Sequence, residues 1–162
     1  MQRSNFGVLW PVPTRWADND HYGHVNNVAT YAFFDTAVNG WLMHATGIDI
    51  RDLPAIGLVV ETSCSYRRPL SFPDPLEVGL RVQRLGTSSV TYELAVFSPG
   101  YDEAASVGRF VHVYVNNPGT ANTVANRVNV TGGVTNHALR TPEATPIPAV
   151  IRAVLEPLVV PG

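Results

Sequence analysis

Between residues 58 and 116 the chain runs through four stretches in which apolar and polar residues alternate. Alternation with a period of two means one face of each stretch points to a core and the other away from it. In Leu58–Arg67, Val60, Thr62, Cys64 and Tyr66 alternate with Glu61, Ser63, Ser65 and Arg67. Pro69, Pro73 and Pro75 then break the chain, and Leu76–Leu85 alternates cleanly, with Leu76, Val78, Leu80 and Val82 on one face. After a Gly86–Ser88 turn, Val90, Tyr92, Leu94 and Val96 share a face of Ser89–Phe97. In Ala104–Asn116, Val107, Val111, Val113 and Val115 line one face, and Phe110, His112 and Tyr114 the other. Both faces of this last strand therefore need cover, which predicts a central strand or one whose outer face meets another subunit. Connections this short imply antiparallel neighbours.

One long helical pattern precedes these strands. From about Asn26, residues Val28, Tyr31, Ala32, Val38, Leu42 and Ala45 fall near one stripe, widened by Phe34, Ala37 and Trp41. Asn26 is the expected N-cap and Gly47 the expected stop. Such a helix of ~20 residues would be ~30 Å long, and its apolar character nearly all round predicts that other structure wraps it. Before it, Trp10, Val12, Thr14 and Trp16 alternate with Pro11, Pro13 and Arg15. The two prolines lack donors on the same side, so this strand is expected at a sheet edge. One helix on one twisted antiparallel sheet is a two-layer α+β domain. Residues 117–146, rich in Asn, Thr, Gly and Pro, read as an irregular or mobile insertion with room for a small extra hairpin. A short terminal helix is expected at about 148–158. No repeat or second core is visible, so residues 1–162 read as one domain.

The 162 residues carry a net charge of −2, which gives no basic face for a nucleic acid. The single cysteine, Cys64, allows no intrachain disulfide and fits a reducing compartment. There is no secretory signal pattern and no apolar run near the ~20 residues a membrane span needs. The expectation is a soluble cytoplasmic protein with neither nucleic acid nor membrane as partner.

The densest polar stretch, Asp18-Asn19-Asp20-His21-Tyr22-Gly23-His24-Val25-Asn26-Asn27, lies at the start of the helix. A polar loop feeding a helix can bring charged groups and free backbone N–H donors to one point. Arg15-Trp16-Ala17-Asp18-Asn19-Asp20-His21-Tyr22-Gly23-His24-Val25-Asn26-Asn27, followed by Tyr31 and Asp35, resembles the hotdog-fold acyl-CoA thioesterases of the 4-hydroxybenzoyl-CoA thioesterase type. Ser65-Tyr66-Arg67-Arg68-Pro69 is similar to the end of that family's second strand. The resemblance covers roughly residues 8–116. It implies a hotdog fold, a long central helix wrapped by a five-stranded antiparallel sheet in the order β-α-β-β-β-β. It also implies a homodimer or homotetramer with acyl-CoA sites at subunit interfaces and no cofactor. The family's catalytic carboxylate falls on Asp20. The backbone N–H that holds the thioester carbonyl falls on Asn27.

Elementary chemistry agrees. Thioester hydrolysis builds negative charge on the carbonyl oxygen, and first-turn N–H groups of a helix lack intrahelical partners and carry the positive end of its dipole. A carboxylate beside them can attack the carbonyl or activate water. Alone, Asp20 would read as a turn or capping residue. Asp18 reads as structural. Gly23 allows a sharp turn; His24 and Asn26 organise the loop by hydrogen bonds, and Gly23, His24 and Asn26 are the loop's candidates for substrate binding. Arg67 and Arg68 are candidates for the phosphates of coenzyme A; a regular strand would point them to opposite faces, so one is expected there, and Arg68 is taken. Asp35 falls on the apolar stripe and is expected to be buried with a partner. Glu61 is a reserve base. Asp18, Asp20, His21 and His24 make a weak metal set, with no cysteine support and two histidines three apart in a loop; no metal is expected. Cys64 reads as a buried thiol rather than a nucleophile. Two other functions share this fold: a hydratase or dehydratase of acyl thioesters, whose His-Phe-Pro-Gly or Asp-x-Asn-Pro-x-His patterns do not occur, and a non-catalytic acyl-thioester binding protein.

Overall fold

A computed structural model describes residues 1–117 and 143–161. Strand β1 (Val8–Val12) leads through a 3-10 turn (Trp16–Asp18) and the polar loop into helix α1 (Asn27–Thr46). Strands β2 (Ala55–Tyr66), β3 (Leu76–Leu85), β4 (Ser89–Phe97) and β5 (Ser106–Asn116) follow, and helix α2 (Ala149–Leu155) with a 3-10 turn (Glu156–Leu158) lies near the end. The strands form one antiparallel five-stranded sheet in the order β1-β3-β4-β5-β2. With α1 packed on it, this is the hotdog architecture.

Helix α1 begins and ends where its caps require. The Asn26 side chain accepts from the Val28 N–H at 2.9 Å, and Gly47 takes a left-handed φ of 69° and donates to the Met43 carbonyl. Such a φ suits a residue without a Cβ. Phe33, Phe34, Ala37, Val38 and Leu42 are buried against the sheet. Gly108 on β5 makes room for them: a Cβ there would sit 2.3 Å from the Phe34 ring and 3.0 Å from the Ser63 carbonyl oxygen. The main core joins these side chains to Leu76, Val78, Leu80, Tyr92 and Leu94, and a smaller cluster gathers Phe6, Ala95, Phe97 and Ala104.

Several expectations meet the structure directly. β1 is an edge strand, with Pro11 opposite Glu77, and β5 lies inside the sheet with both neighbours paired. Others need correction. Trp16 is not in the first strand: Asp18 accepts from the Arg15 N–H and closes a 3-10 turn there, leaving Trp16 79% exposed. β2 does not pair with its successor β3 but with β5, at the opposite edge from β1. Helix α1 is not covered all round: Val28 is 69% exposed, and Asp35, on the same stripe, is exposed rather than buried. Its carboxylate accepts from the Asn39 side-chain amide at 3.1 Å. α2 falls within the expected terminal helix. The insertion expected over 117–146 lies, for residues 118–142, outside the described residues.

Candidate active site

The polar loop is held from both sides. Asp18, 3% exposed, takes the Arg15 N–H at 2.7 Å on one oxygen and the guanidinium at 2.8 Å on the other. The Arg15 hydrogen bond holds the Asp18 carboxyl below its ordinary range. Asp18 is therefore the structural anchor its position suggested. On the far side, the Leu70 carbonyl accepts from the Val25 N–H at 2.7 Å and the Ser71 hydroxyl donates to the Gly23 carbonyl at 2.8 Å. The Phe72 N–H donates to the Asn19 side chain. The connection after β2 thus clamps the loop onto the end of the sheet.

Within that clamp the backbone donors are almost all used. The Tyr22 and His24 N–H groups donate to Asp20 Oδ1 at 2.8 and 3.2 Å. The Gly23 N–H donates to the Asp20 carbonyl, the Val25 N–H to Leu70 and the Asn26 N–H to the Asp18 carbonyl. The Val28 N–H donates to the Asn26 side chain. From Tyr22 to Val28 only the Asn27 N–H has no partner among the described residues. It sits at the first position of a 20-residue helix, at the positive end of its dipole. Gly23 reaches the turn with a φ of 81°.

Asp20 is half-buried, and its two oxygens differ. Oδ1 is fixed by the two loop N–H groups, while Oδ2 has no hydrogen bond among the described residues. Asp20, His24, Asn27, Arg67, Arg68 and Ser106 line one open cleft of about 430 Å³, a size that suits a small-molecule site. The expected pieces are therefore together: Asp20, His24, Asn27 and Arg68 share the cleft, and Gly23 and Asn26 shape the loop behind it.

β2 ends at Tyr66, so Arg67 and Arg68 escape the alternation of the strand; both N–H groups turn to the Ala105 carbonyl and both residues line the cleft. Arg68 donates to Ser98 Oγ at 3.0 Å and lies over the Tyr101 ring at 3.9 Å. The exposed Arg67 side chain has no such engagement among the described residues. Two further residues were not legible as site residues. The Tyr66 hydroxyl donates to the Asn27 carbonyl at 3.1 Å, and burial pushes its pKa up, so it remains a donor. Ser106, 2% exposed, presents a buried hydroxyl with no well-formed hydrogen bond among the described residues; the weakly polar Cys64 thiol is its neighbour. Glu61, the reserve base, is exposed and paired with Arg109. Burial raises the Cys64 thiol, which suits a packed thiol and not a nucleophile.

The profile of the thioesterase superfamily matches residues 22–105, which include the end of the loop from Tyr22, α1 and strands β2, β3 and β4, up to the residue before β5. The chain belongs to the thioesterase superfamily. Among solved structures, this thioesterase is 44% identical to the PA5185 protein of Pseudomonas aeruginosa, with a TM-score of 0.80 over 98% of this chain and 95% of that one. A candidate acyl-CoA thioesterase from Xanthomonas campestris is 32% identical, with a TM-score of 0.61 over 67% and 92%. A thioesterase from Thermus thermophilus, complexed with coenzyme A and zinc, shares the fold at 24% identity and a TM-score of 0.64 over 93% and 98%. No curated protein matches significantly. The chemistry of this thioesterase is thioester hydrolysis. Among the described residues no helix is long and apolar enough to cross a membrane.

Proposed function

We propose that the substrate is an acyl-CoA and that its thioester is cleaved in the cleft between the polar loop and the end of β2. The observation that carries this is the Asn27 N–H, without a partner among the described residues in a run of paired donors, in the same cleft as Asp20, whose Oδ2 likewise has none there. The carbonyl oxygen takes the Asn27 N–H, and Asp20 either attacks the carbonyl carbon or takes a proton from a water that does. The carbon–sulfur bond then breaks and coenzyme A leaves as its thiolate, which takes up the proton released from the attacking water. Where Asp20 itself attacks, that water comes second and hydrolyses the Asp20–acyl anhydride to free acid. A fixed donor at a developing oxyanion is worth about 3–4 kcal/mol in comparable sites. Gly23 and Asn26 hold the loop that contacts substrate, and His24 and the Ser106 hydroxyl offer further polar contacts. Arg68, with Arg67 as the less engaged cation, faces the coenzyme A phosphates. The 32%-identical acyl-CoA thioesterase candidate supports the choice of carrier.

The cleft is open in a single chain, and the neighbouring surface suits a second copy. β2 is an edge strand whose Leu58, Val59 and Val60 are 38%, 44% and 60% exposed. A bare edge with apolar side chains favours pairing with another chain. We infer a homodimer, or a homotetramer built from it, with the cleft at the interface. A cytoplasmic site of action fits the single free thiol. Purified protein assayed with a thiol reagent against acyl-CoAs from acetyl to palmitoyl and aromatic acyl groups tests the substrate class. Release of free coenzyme A from at least one is expected, and no release across the set would overturn the reading.

A further inference from the structure

A second cavity of about 200 Å³ lies at the other end of α1 from the polar loop. Its walls are mostly apolar, including Leu42, Leu53, Ile56, Tyr114 and Ile151, and His112 stands among them. His112 is 3% exposed, and its Nε2 has no hydrogen-bond partner among the described residues. A polar atom buried in an apolar wall without a partner loses its hydration and gains nothing in return. A ligand group that pairs with it therefore gains more than an ordinary surface hydrogen bond.

Residues of α1, β2 and β5 stand between the cleft and the cavity. At the cleft end are Asn27 and Tyr66. Next come Tyr31 and Phe110, stacked at 6.3 Å. Asp35 follows, within electrostatic reach of His112, and then Asn39, opposite Ile56 and Gly57. At 1.5 Å per residue, Asp35 lies about 12 Å and Asn39 about 18 Å along the helix from Asn27. An extended acyl chain between decanoyl and palmitoyl covers that span.

We propose that the far cavity receives the distal end of the acyl group, and that His112 Nε2 selects acyl chains carrying a hydroxyl there. This rests on the hydrolytic reading of the cleft. A hydroxyl both donates and accepts, so it satisfies a neutral imidazole in either tautomer. A distal carboxylate fits worse. Asp35 is already near His112, and Arg51, the cation lining the cavity, is engaged with Asp49 at 2.6 Å. A plain alkyl end fills the apolar walls but leaves Nε2 unpaired.

The test compares kcat/KM for decanoyl-, lauroyl- and palmitoyl-CoA with their omega-hydroxy counterparts. At one or more lengths the hydroxylated substrate is expected to be favoured about tenfold. In His112→Phe, checked for folding by circular dichroism, that ratio falls to about one. Ile56→Trp, which fills the cavity, shifts the length preference to shorter chains. A wild-type ratio near one at every length, or an unchanged ratio in His112→Phe, overturns the proposal while leaving the hydrolytic reading intact. If no acyl-CoA is hydrolysed, the hydrolytic reading fails. Calorimetry with free omega-hydroxylauric and lauric acids then decides the cavity alone: tighter binding of the hydroxy acid, lost in His112→Phe, supports it, and equal binding overturns it.

Discussion

His112 couples the fold to pH. Burial pushes its pKa from the ordinary 6.5 down to about 4, and the nearby Asp35 carboxylate offsets only part of that. The unfolded chain takes up a proton near 6.5, whereas the folded chain does so only near 4. In between, the unfolded state binds more protons, so stability rises with pH and falls on acidification. At about 1.4 kcal/mol per pH unit, the contribution present above 6.5 and lost by about pH 4 is about 3 kcal/mol. Domains of this kind have a total stability of about 5–15 kcal/mol, so the loss is readily measured. The lowered carboxyl of Asp18 contributes stability that disappears only as pH falls below its unfolded value of 3.8, outside this window. The assay is urea unfolding at steps from about pH 7.5 to about pH 4.5, on wild type and His112→Phe. Wild type should lose about 2–3 kcal/mol more than the variant across that range. Parallel curves for the two proteins would refute the assignment of a buried neutral imidazole.

Three more outcomes follow from contacts described above. Gly108→Ala forces a methyl onto the Phe34 ring and the Ser63 carbonyl; a loss of about 1–3 kcal/mol is expected in thermal or chemical unfolding. Asp18→Ala strips the Arg15 N–H and guanidinium of their acceptor; it should cost about 1–3 kcal/mol and lower kcat, because the loop that carries Asp20 loses one of its two anchors. Val59→Asp on the β2 edge should shift the mass by light scattering to that of a single chain, with a matching fall in hydrolysis.

Local signals marked much of this fold, because they act over a few residues. Asn26 and Gly47 bound α1 as their side-chain chemistry dictates, and the alternation of Leu76–Leu85 and Ser89–Phe97 matches β3 and β4 to the residue. What the chain order hides is long-range. Nothing near β2 says that it pairs with β5 across the sheet. Asp35 shows where periodicity stops: it shares a stripe with Val28, but both are exposed, since period alone does not say which side of a helix meets the sheet. The loop motif located Asp20, His24 and Asn27. It gave no sign of Ser106, which lines the cleft from another strand, or of His112 Nε2, which has no hydrogen-bond partner among the described residues.

Asp20→Asn is the most direct test of the catalytic role proposed for Asp20. An asparagine oxygen still accepts from the Tyr22 and His24 N–H groups, so the loop keeps its shape while the basic, nucleophilic oxygen is lost. On the best acyl-CoA substrate, kcat is expected to fall by about 10²–10⁴, with KM little changed. A variant that turns over at close to the wild-type kcat would contradict it.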